Sequence, residues 1–172
     1  KNLPYLLRSL AEAGDAWTLT IVGDGEDGPL RELIEELHLS ERIHFLGWQE
    51  HPFEQLKGAG ALVLPSHHEG FSLTMLEALA SGMMVLSTPV GGAREIIEEG
   101  ENGYLFGGDT GRTLNEILEK LDNGQLKPAG PERCRESVKP YLEREAIADF
   151  IKKTESTIQD FYGEYKEQHG SK

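Results

Sequence analysis

Cysteine is almost absent from this chain of 172 residues, which contains only Cys134. A single cysteine excludes a disulfide within the chain and is typical of proteins from a reducing compartment. Long apolar runs are also absent, so no segment reaches the length of a membrane span, and no signal peptide is visible. We therefore expect a globular, cytoplasmic protein.

Basic residues are also scarce. Lysine and arginine number 17 against 30 aspartates and glutamates, which gives a formal net charge of −13. Nucleic-acid binding depends on basic side chains that displace counterions from phosphates, so this balance argues against a nucleic-acid partner. Zinc-type ligand patterns are missing too, since His67 and His68 have no H-E-x-x-H or cysteine partner. We expect no metal site.

Strand-like and helical segments alternate along the chain. Apolar strand-like runs occupy residues 17–23, 42–48, 60–66, 83–89 and 103–106. Helical periodicity fills the intervals, at residues 3–12, 29–39, 52–59, 73–82, 92–100 and 113–124. Strict alternation predicts a doubly wound α/β fold with a parallel sheet. We predict one domain at residues 1–125, followed by a connector and C-terminal helices at residues 126–172.

In an open parallel sheet, ligands bind where the carboxyl ends of strands meet the following helices. At the first such junction, "GDGEDG" matches the G-x-G-x-x-G dinucleotide fingerprint. Three features argue against an NAD site. The acidic residues of this loop would place negative charge beside a pyrophosphate. Pro29 places the start of the helix after the last glycine, and the next strand ends without an acidic residue to bind a ribose. The loop with Gly23 and Gly25 therefore suits a position near a nucleotide better than an NAD site.

The second junction, "HHEGFSLTMLEALASG", carries two glutamates after the third strand. Gly70, next to Glu69, lets the backbone approach a ligand, and a helix beginning near Ser72 would offer free N–H groups to a phosphate. We expect Glu69 and Glu77 to lie about 10 Å apart, which is loose for a glycosidase pair. Spacing alone slightly favours Glu77 as the partner of Thr74 in a capping box.

Two further junctions each have two interpretations. Gly91 and Gly92, in "STPVGGAREII", either add backbone donors at the same sheet edge or form a plain tight turn. Main-chain groups of Trp48 and Gln49, in "LGWQEH", either read a nucleobase or merely flank a core or rim aromatic.

An ordered set of segments spans nearly the whole chain: "KNLPYLLRSL", "LTIVGDG", "IHFLGW", "LVLPSHHEGFSLTMLEALASG", "VLSTPVGGAREII" and "NGYLF". This set resembles the donor-binding C-terminal domain of retaining GT-B glycosyltransferases of family 4, also called glycosyl transferases group 1. The E-x7-E segment, its P-S lead-in and the later G-G-x-x-E-I-I carry most of the specificity. The resemblance implies a Rossmann-like domain, the C-terminal half of a GT-B fold.

The resemblance also implies roles for residues of this sequence. Glu69 would hydrogen-bond hydroxyls of the donor sugar, and Lys1 would contact the diphosphate, which gives both a catalytic role. Glu77 would accept both ribose hydroxyls, in place of the capping-box role. Trp48 and Gln49 would contact the base through their main chain. The other residues implied at the donor site are Gly70, Phe71 and Ser72 along the sugar, Leu73 and Thr74 at the diphosphate, and the loop glycines Gly23, Gly25, Gly91 and Gly92.

The implied reaction is transfer of a hexose from a nucleotide-diphospho-sugar with retention of configuration, without a bound metal or resident cofactor. An acceptor glycan or glycolipid would be held by an N-terminal domain that this sequence does not contain. The chain would then be a fragment, inactive alone, of an enzyme that works in the cytoplasm or peripherally at the inner face of a membrane. Residues 126–172 would pack either on this donor-binding domain or on the N-terminal domain. The alternatives are a non-catalytic nucleotide-sugar-binding subunit and a GT-B-type nucleotide-sugar epimerase.

The family's first strand, which would precede Lys1, has no counterpart in this sequence. In the order 3-2-1-4-5-6 that strand is central, between residues 17–22 and 61–65. We therefore predict two half-sheets roughly 9.5 Å apart, which is two strand spacings, with unpaired backbone groups on both inner edges. A continuous ladder between these two segments is the competing expectation.

Overall fold

The computed structural model describes residues 1–25 and 28–142. The helices are α1 (Leu3–Glu12), α2 (Gly28–Glu36), α3 (Pro52–Gln55), α4 (Leu73–Ala80), α5 (Ala93–Ile96), α6 (Leu114–Asp122) and α7 (Pro131–Leu142). The strands are β1 (Leu19–Val22), β2 (Ile43–Gly47), β3 (Ala61–Leu64), β4 (Met84–Ser87) and β5 (Gly103–Leu105). Within this part of the chain, no helix is long and apolar enough to cross a bilayer.

Residues Lys1–Ser137 form one compact unit, distinct from Val138–Lys172. The domain boundary after residue 125 stays a prediction. The helices predicted beyond residue 142 lie outside the described residues.

The observed elements follow the predicted order and type, but most are shorter at their ends. Helix α2 shows the physical reason, because its predicted span reached residue 39. His38 adopts a left-handed backbone with φ 56°, and the N–H of Leu39 donates to the carbonyl of Ile34 at 2.9 Å. This ending turns the chain out of the helix before the apolar periodicity stops. Leu39 therefore joins the core after the helix, at 1% exposure.

Within the described residues, all strand pairs are parallel, and they form two sheets. Strand β1 pairs with β2, and β4 lies between β3 and β5. No ladder joins β1 to β3 among the described residues. The parallel α/β fold is thus confirmed, and the interruption predicted between residues 17–22 and 61–65 is observed; the spacing of about 9.5 Å stays a prediction. Helix α1 packs against both α2, which follows β1 of the smaller sheet, and α6, which follows β5 of the larger sheet.

The core lies mainly around the three-stranded sheet. Every residue of β4 and β5 is buried, whereas every residue of β1 is only half-buried. Helix α4 packs on β3 and β4, and helices α4, α5 and α6 each contribute fully buried side chains, such as Leu79, Ile96 and Ile117. Strand β3 is half-buried like β1, so it is the loop after β4 that extends from a fully buried strand.

A buried asparagine fixes the turn before β5. Asn102 is 0% exposed and accepts the N–H of Glu98 at 2.8 Å. Its amide nitrogen donates to the carbonyl of Ile96 at 2.8 Å and to the hydroxyl of Ser137 at 2.9 Å. Because every polar group of the side chain has a partner, its burial costs little.

Candidate functional site

Glu69 lies in the loop between β3 and α4, with one of its carboxylate oxygens held by two donors. Oε1 accepts hydrogen bonds from the Lys1 ammonium and from the Ser66 hydroxyl, the latter at 2.7 Å. The Glu69 side chain is 19% exposed. These two hydrogen bonds, from Lys1 first and Ser66 second, hold the pKa of Glu69 below its ordinary value despite partial burial. Glu69 is therefore an ionised, oriented acceptor at neutral pH.

A second layer of hydrogen bonds supports this carboxylate. Ser66 is 1% exposed, and its carbonyl accepts the hydroxyl of Thr88 at 2.6 Å. Thr88 directly follows β4, and its N–H donates to the carbonyl of Leu64 at 3.1 Å. The end of β4 thus fixes the loop that carries Glu69. Ser66 has a weak sequence signal, three residues before Glu69 in the P-S lead-in, but Thr88 has none.

The N-terminus of α4 lies three residues beyond Glu69 and is uncapped. Ser72 is the N-cap residue, but its side chain makes no capping hydrogen bond. Within the described residues, the N–H groups of Leu73 and Thr74 donate to no acceptor. Such N–H groups, together with the positive end of the helix dipole, favour an anion.

The helix start excludes one of the two interpretations of Glu77. Because α4 begins at Leu73, Thr74 lies inside the helix and is not its N-cap. The capping box of Thr74 and Glu77 is therefore wrong. The Glu77 side chain is exposed on the second turn of α4. A polar ligand can reach it there.

The loop after β4 packs directly on the loop that carries Glu69. Gly91 has a left-handed φ of 56°, and a Cβ built there would lie 2.0 Å from the carbonyl oxygen of Gly70. A Cβ on Gly92 would lie 2.8 Å from the ring of Phe71. A side chain at position 91 would collide with the backbone, so Gly91 is required by close approach, whereas a side chain at position 92 would force the Phe71 ring to shift. The structure brings the second and third predicted junctions together.

The carboxyl ends of β1 and β2 form a second edge. The N–H of Gly23 donates to the carbonyl of Gly47 at 2.9 Å, and the N–H of Trp48 donates to Oδ1 of Asp24 at 3.0 Å. Gly25 is exposed in the same loop. The Trp48 main-chain donor predicted to contact a base is thus engaged by Asp24. The side-chain amide of Gln49 donates to the carbonyl of Leu46 at 2.9 Å. The first and fourth junctions therefore also lie together.

The two histidines beside Glu69 lie at the surface of the loop. His67 and His68 are both exposed. Across residues 1–25 and 28–142, no group of three or more histidine, cysteine, aspartate or glutamate side chains is placed to hold a metal ion.

Solved structures with this fold identify the class of protein. The chain matches the Anabaena protein HepE in complex with UDP with a TM-score of 0.76 and 25% identity, over 91% of this chain and 45% of HepE. The complex of HepE with UDP-glucose matches with a TM-score of 0.75 and 27% identity, at the same coverage. The fold is therefore that of the Rossmann-like C-terminal domain of GT-B glycosyltransferases, as predicted.

The family follows from sequence. The pattern of the family described as glycosyl transferases group 1 matches residues 1–141, and the chain belongs to this family. It is 37% identical over 131 residues to N-acetyl-alpha-D-glucosaminyl L-malate synthase of Bacillus anthracis, which covers 75% of this chain and 34% of the relative. It is also 37% identical over 112 residues to lipopolysaccharide 1,6-galactosyltransferase of Escherichia coli, with 62% and 31% covered. The chain thus spans about a third of the length of these two relatives.

Proposed function

We propose that this chain binds the nucleotide-diphospho-sugar donor of a retaining glycosyltransferase. One arrangement carries the proposal: the ionised, fixed carboxylate of Glu69 lies three residues before the uncapped N-terminus of α4. A carboxylate accepts hydrogen bonds from sugar hydroxyls, and free helix N–H groups donate to a diphosphate. A nucleotide-diphospho-sugar presents both chemistries next to each other. Glu77 would accept the ribose hydroxyls from the second turn of the same helix.

The remaining donor contacts follow from the two loop pairs. The backbone of Gly70, Phe71 and Ser72 would line the sugar, supported from behind by the loop with Gly91 and Gly92. The main chain of the loops after β1 and β2 would face the nucleoside. HepE is described in complex with UDP and with UDP-glucose, which supports uridine nucleotides as the first probes.

The proposed chemistry is transfer of a hexose with retention, without a divalent cation or resident cofactor. Negative charge develops on the leaving diphosphate as the sugar departs. The Lys1 ammonium and the N–H groups of Leu73 and Thr74 would offset that charge. The acceptor, a glycan or glycolipid, would be held by an N-terminal domain of a longer enzyme that works in the cytoplasm or peripherally at the inner face of a membrane.

Donor binding is tested by calorimetry on the 172-residue chain with UDP-, GDP- and ADP-sugars. Glu77→Ala should weaken the bound donor by about 1.5–3 kcal/mol, which is about 10- to 150-fold, because each ribose hydroxyl loses a charged acceptor. Glu119→Ala is the matched control, since Glu119 is also an exposed glutamate within a helix. Equal donor affinity in both variants would remove Glu77 from the site.

The proposed chemistry is tested on a longer enzyme that contains this sequence. We expect transfer to survive chelation with EDTA, and NMR of the product to show the anomeric configuration of the donor. Activity abolished by EDTA and restored by manganese would contradict metal independence. The 172-residue chain alone should bind donor without transferring it, because no acceptor is positioned beside the sugar. Robust transfer by that chain would contradict its role as half of an enzyme.

A further inference from the structure

The chain places a large aromatic surface at the carboxyl end of β2. Trp48 is 65% exposed, the highest exposure among the large apolar side chains of the described residues. The other tryptophan, Trp17, is half-buried, with its Nε1 enclosed. Exposing an indole forfeits the stabilisation that its burial would give. A ligand that covers the ring would recover it.

The backbone fixes where this indole stands. The register between β1 and β2 shifts after Ile21, so that Val22 pairs with Gly47 and Leu46 is an extra residue on β2. Such a bulge bends the strand and redirects the residues that follow. The hydrogen bond from the N–H of Trp48 to Asp24, at 3.0 Å, then ties this residue to the loop after β1. The main chain that carries the ring is held on both sides.

We propose that the indole of Trp48 is the surface on which the nucleobase of the donor stacks. This inference rests on the proposed function and deepens it. The Trp48 N–H is already bonded to Asp24, and the 65% exposed indole offers the larger of the remaining surfaces of this residue to the base. Flat aromatic rings stack on any base, which gives affinity without selecting one base strongly. Selection among bases would then come from other groups of the loops.

Tryptophan fluorescence distinguishes the two indoles, since Trp17 and Trp48 are the only tryptophans in the chain. UDP should quench the emission of wild type and of Trp17→Phe by the same amount. In Trp48→Phe, where Trp17 alone emits, UDP should cause no quenching. Ribose 5-phosphate, which lacks a base, should quench none of the three. Quenching that persists in Trp48→Phe would overturn the proposal.

Calorimetry with UDP measures the contribution to affinity. Trp48→Ala should weaken UDP binding about 5- to 150-fold, the range for removing one base–aromatic stack, whereas Trp48→Phe should retain most of the affinity. Leu46→Ala is the matched control, because Leu46 is exposed on the same strand but would not contact the base. Thermal unfolding of each variant checks that it folds. Unchanged affinity in a folded Trp48→Ala would overturn the stacking role while leaving donor binding intact.

Asp24 should act as a positioning residue for the indole. Asp24→Ala removes the acceptor for the Trp48 N–H and should lower both UDP affinity and the quenching amplitude. Asp24→Asn keeps a carbonyl oxygen at the same place and should restore both. Failure of wild type to bind any nucleotide in the calorimeter would overturn the proposed function itself. Binding without quenching of Trp48 would overturn this inference alone.

Discussion

The two sheets of this unit differ in packing and in what they carry. In the three-stranded sheet, β4 and β5 are entirely buried and β3 is half-buried, and the loops after β3 and β4 hold Glu69 through a chain of hydrogen bonds. In the two-stranded sheet only Ile43 is buried, and its carboxyl edge displays Trp48. Local stability follows buried apolar area, so the first sheet should form the more rigid side. One half of the proposed site is therefore preorganised, and the other depends more on the ligand that binds it.

Truncating one leucine in each sheet should give the largest difference in the free energy of unfolding. Leu86 in β4 is 0% exposed, and Leu86→Ala should lower the free energy of unfolding by about 2–5 kcal/mol because it leaves a cavity. Leu19 in β1 is half-buried, and Leu19→Ala should cost clearly less. Urea denaturation of both variants measures the difference. Equal losses would mean that the two sheets are equally packed.

The second expected effect concerns the inner edges of the sheets, on β1 and β3. Unpaired strand edges pair with other chains, so the isolated chain should self-associate as its concentration rises. Thr20→Lys in β1 should shift the species in analytical ultracentrifugation towards monomer. His44→Lys in β2 is the control, because β2 forms the other edge of its sheet. If His44→Lys prevents association instead, the outer edge is responsible.

A third effect tests the fixed carboxylate through pH. The pKa of Glu69 is lower in the folded chain than in the unfolded chain, so its ionised form stabilises the fold. That stabilisation is present above about pH 4.3, the unfolded value, and is lost as the pH falls through the lower folded pKa. The unfolding free energy of wild type minus that of Glu69→Gln should therefore shrink between neutral pH and about pH 3.

Urea denaturation over this pH range measures that difference. Ser66→Ala removes one of the two hydrogen bonds. The unfolding free energy of wild type minus that of Ser66→Ala should therefore also shrink as the pH falls, but by less than the difference for Glu69→Gln. A difference between wild type and Glu69→Gln that stays constant with pH would show that the carboxylate gains nothing from its partners.

The smallest expected effect compares two helix N-termini. At α6, the Thr113 hydroxyl accepts the N–H of Glu116, and the Glu116 carboxylate accepts the N–H of Thr113. Thr113→Ala should therefore cost about 1 kcal/mol of stability. Ser72→Ala should cost almost nothing, because the Ser72 side chain caps nothing at α4. Thermal unfolding of both variants checks this. A comparable loss in Ser72→Ala would mean that the N-terminus of α4 is capped in solution.

Much of this organisation could be predicted from the sequence. Hydrophobic periodicity located the strands and helices, and their alternation predicted parallel pairing. The E-x7-E segment located the loop with Glu69 and the helix start near Ser72. These signals are local, and each depends on a short window of residues.

The remaining features depend on contacts between distant segments. No local pattern links Thr88 to Ser66, or Asn102 to Ser137. The bulge at Leu46 arises from pairing with β1, so the sequence of β2 alone does not predict it. The local spacing of Thr74 and Glu77 favours a capping box, but this prediction is wrong because α4 begins one residue before Thr74.

The contact of Gly91 with Gly70 limits which substitutions this protein can accept during evolution. A methyl group at position 91 would lie 2.0 Å from the Gly70 oxygen, so substitutions there displace the neighbouring loop before any new property can be selected. The constraint runs in one direction only, because a Cβ at position 70 would meet no atom within 4 Å. Laboratory evolution of a new sugar preference should keep Gly91 fixed and diversify Ser72, which no capping bond constrains. Libraries built this way would lose fewer members to misfolding.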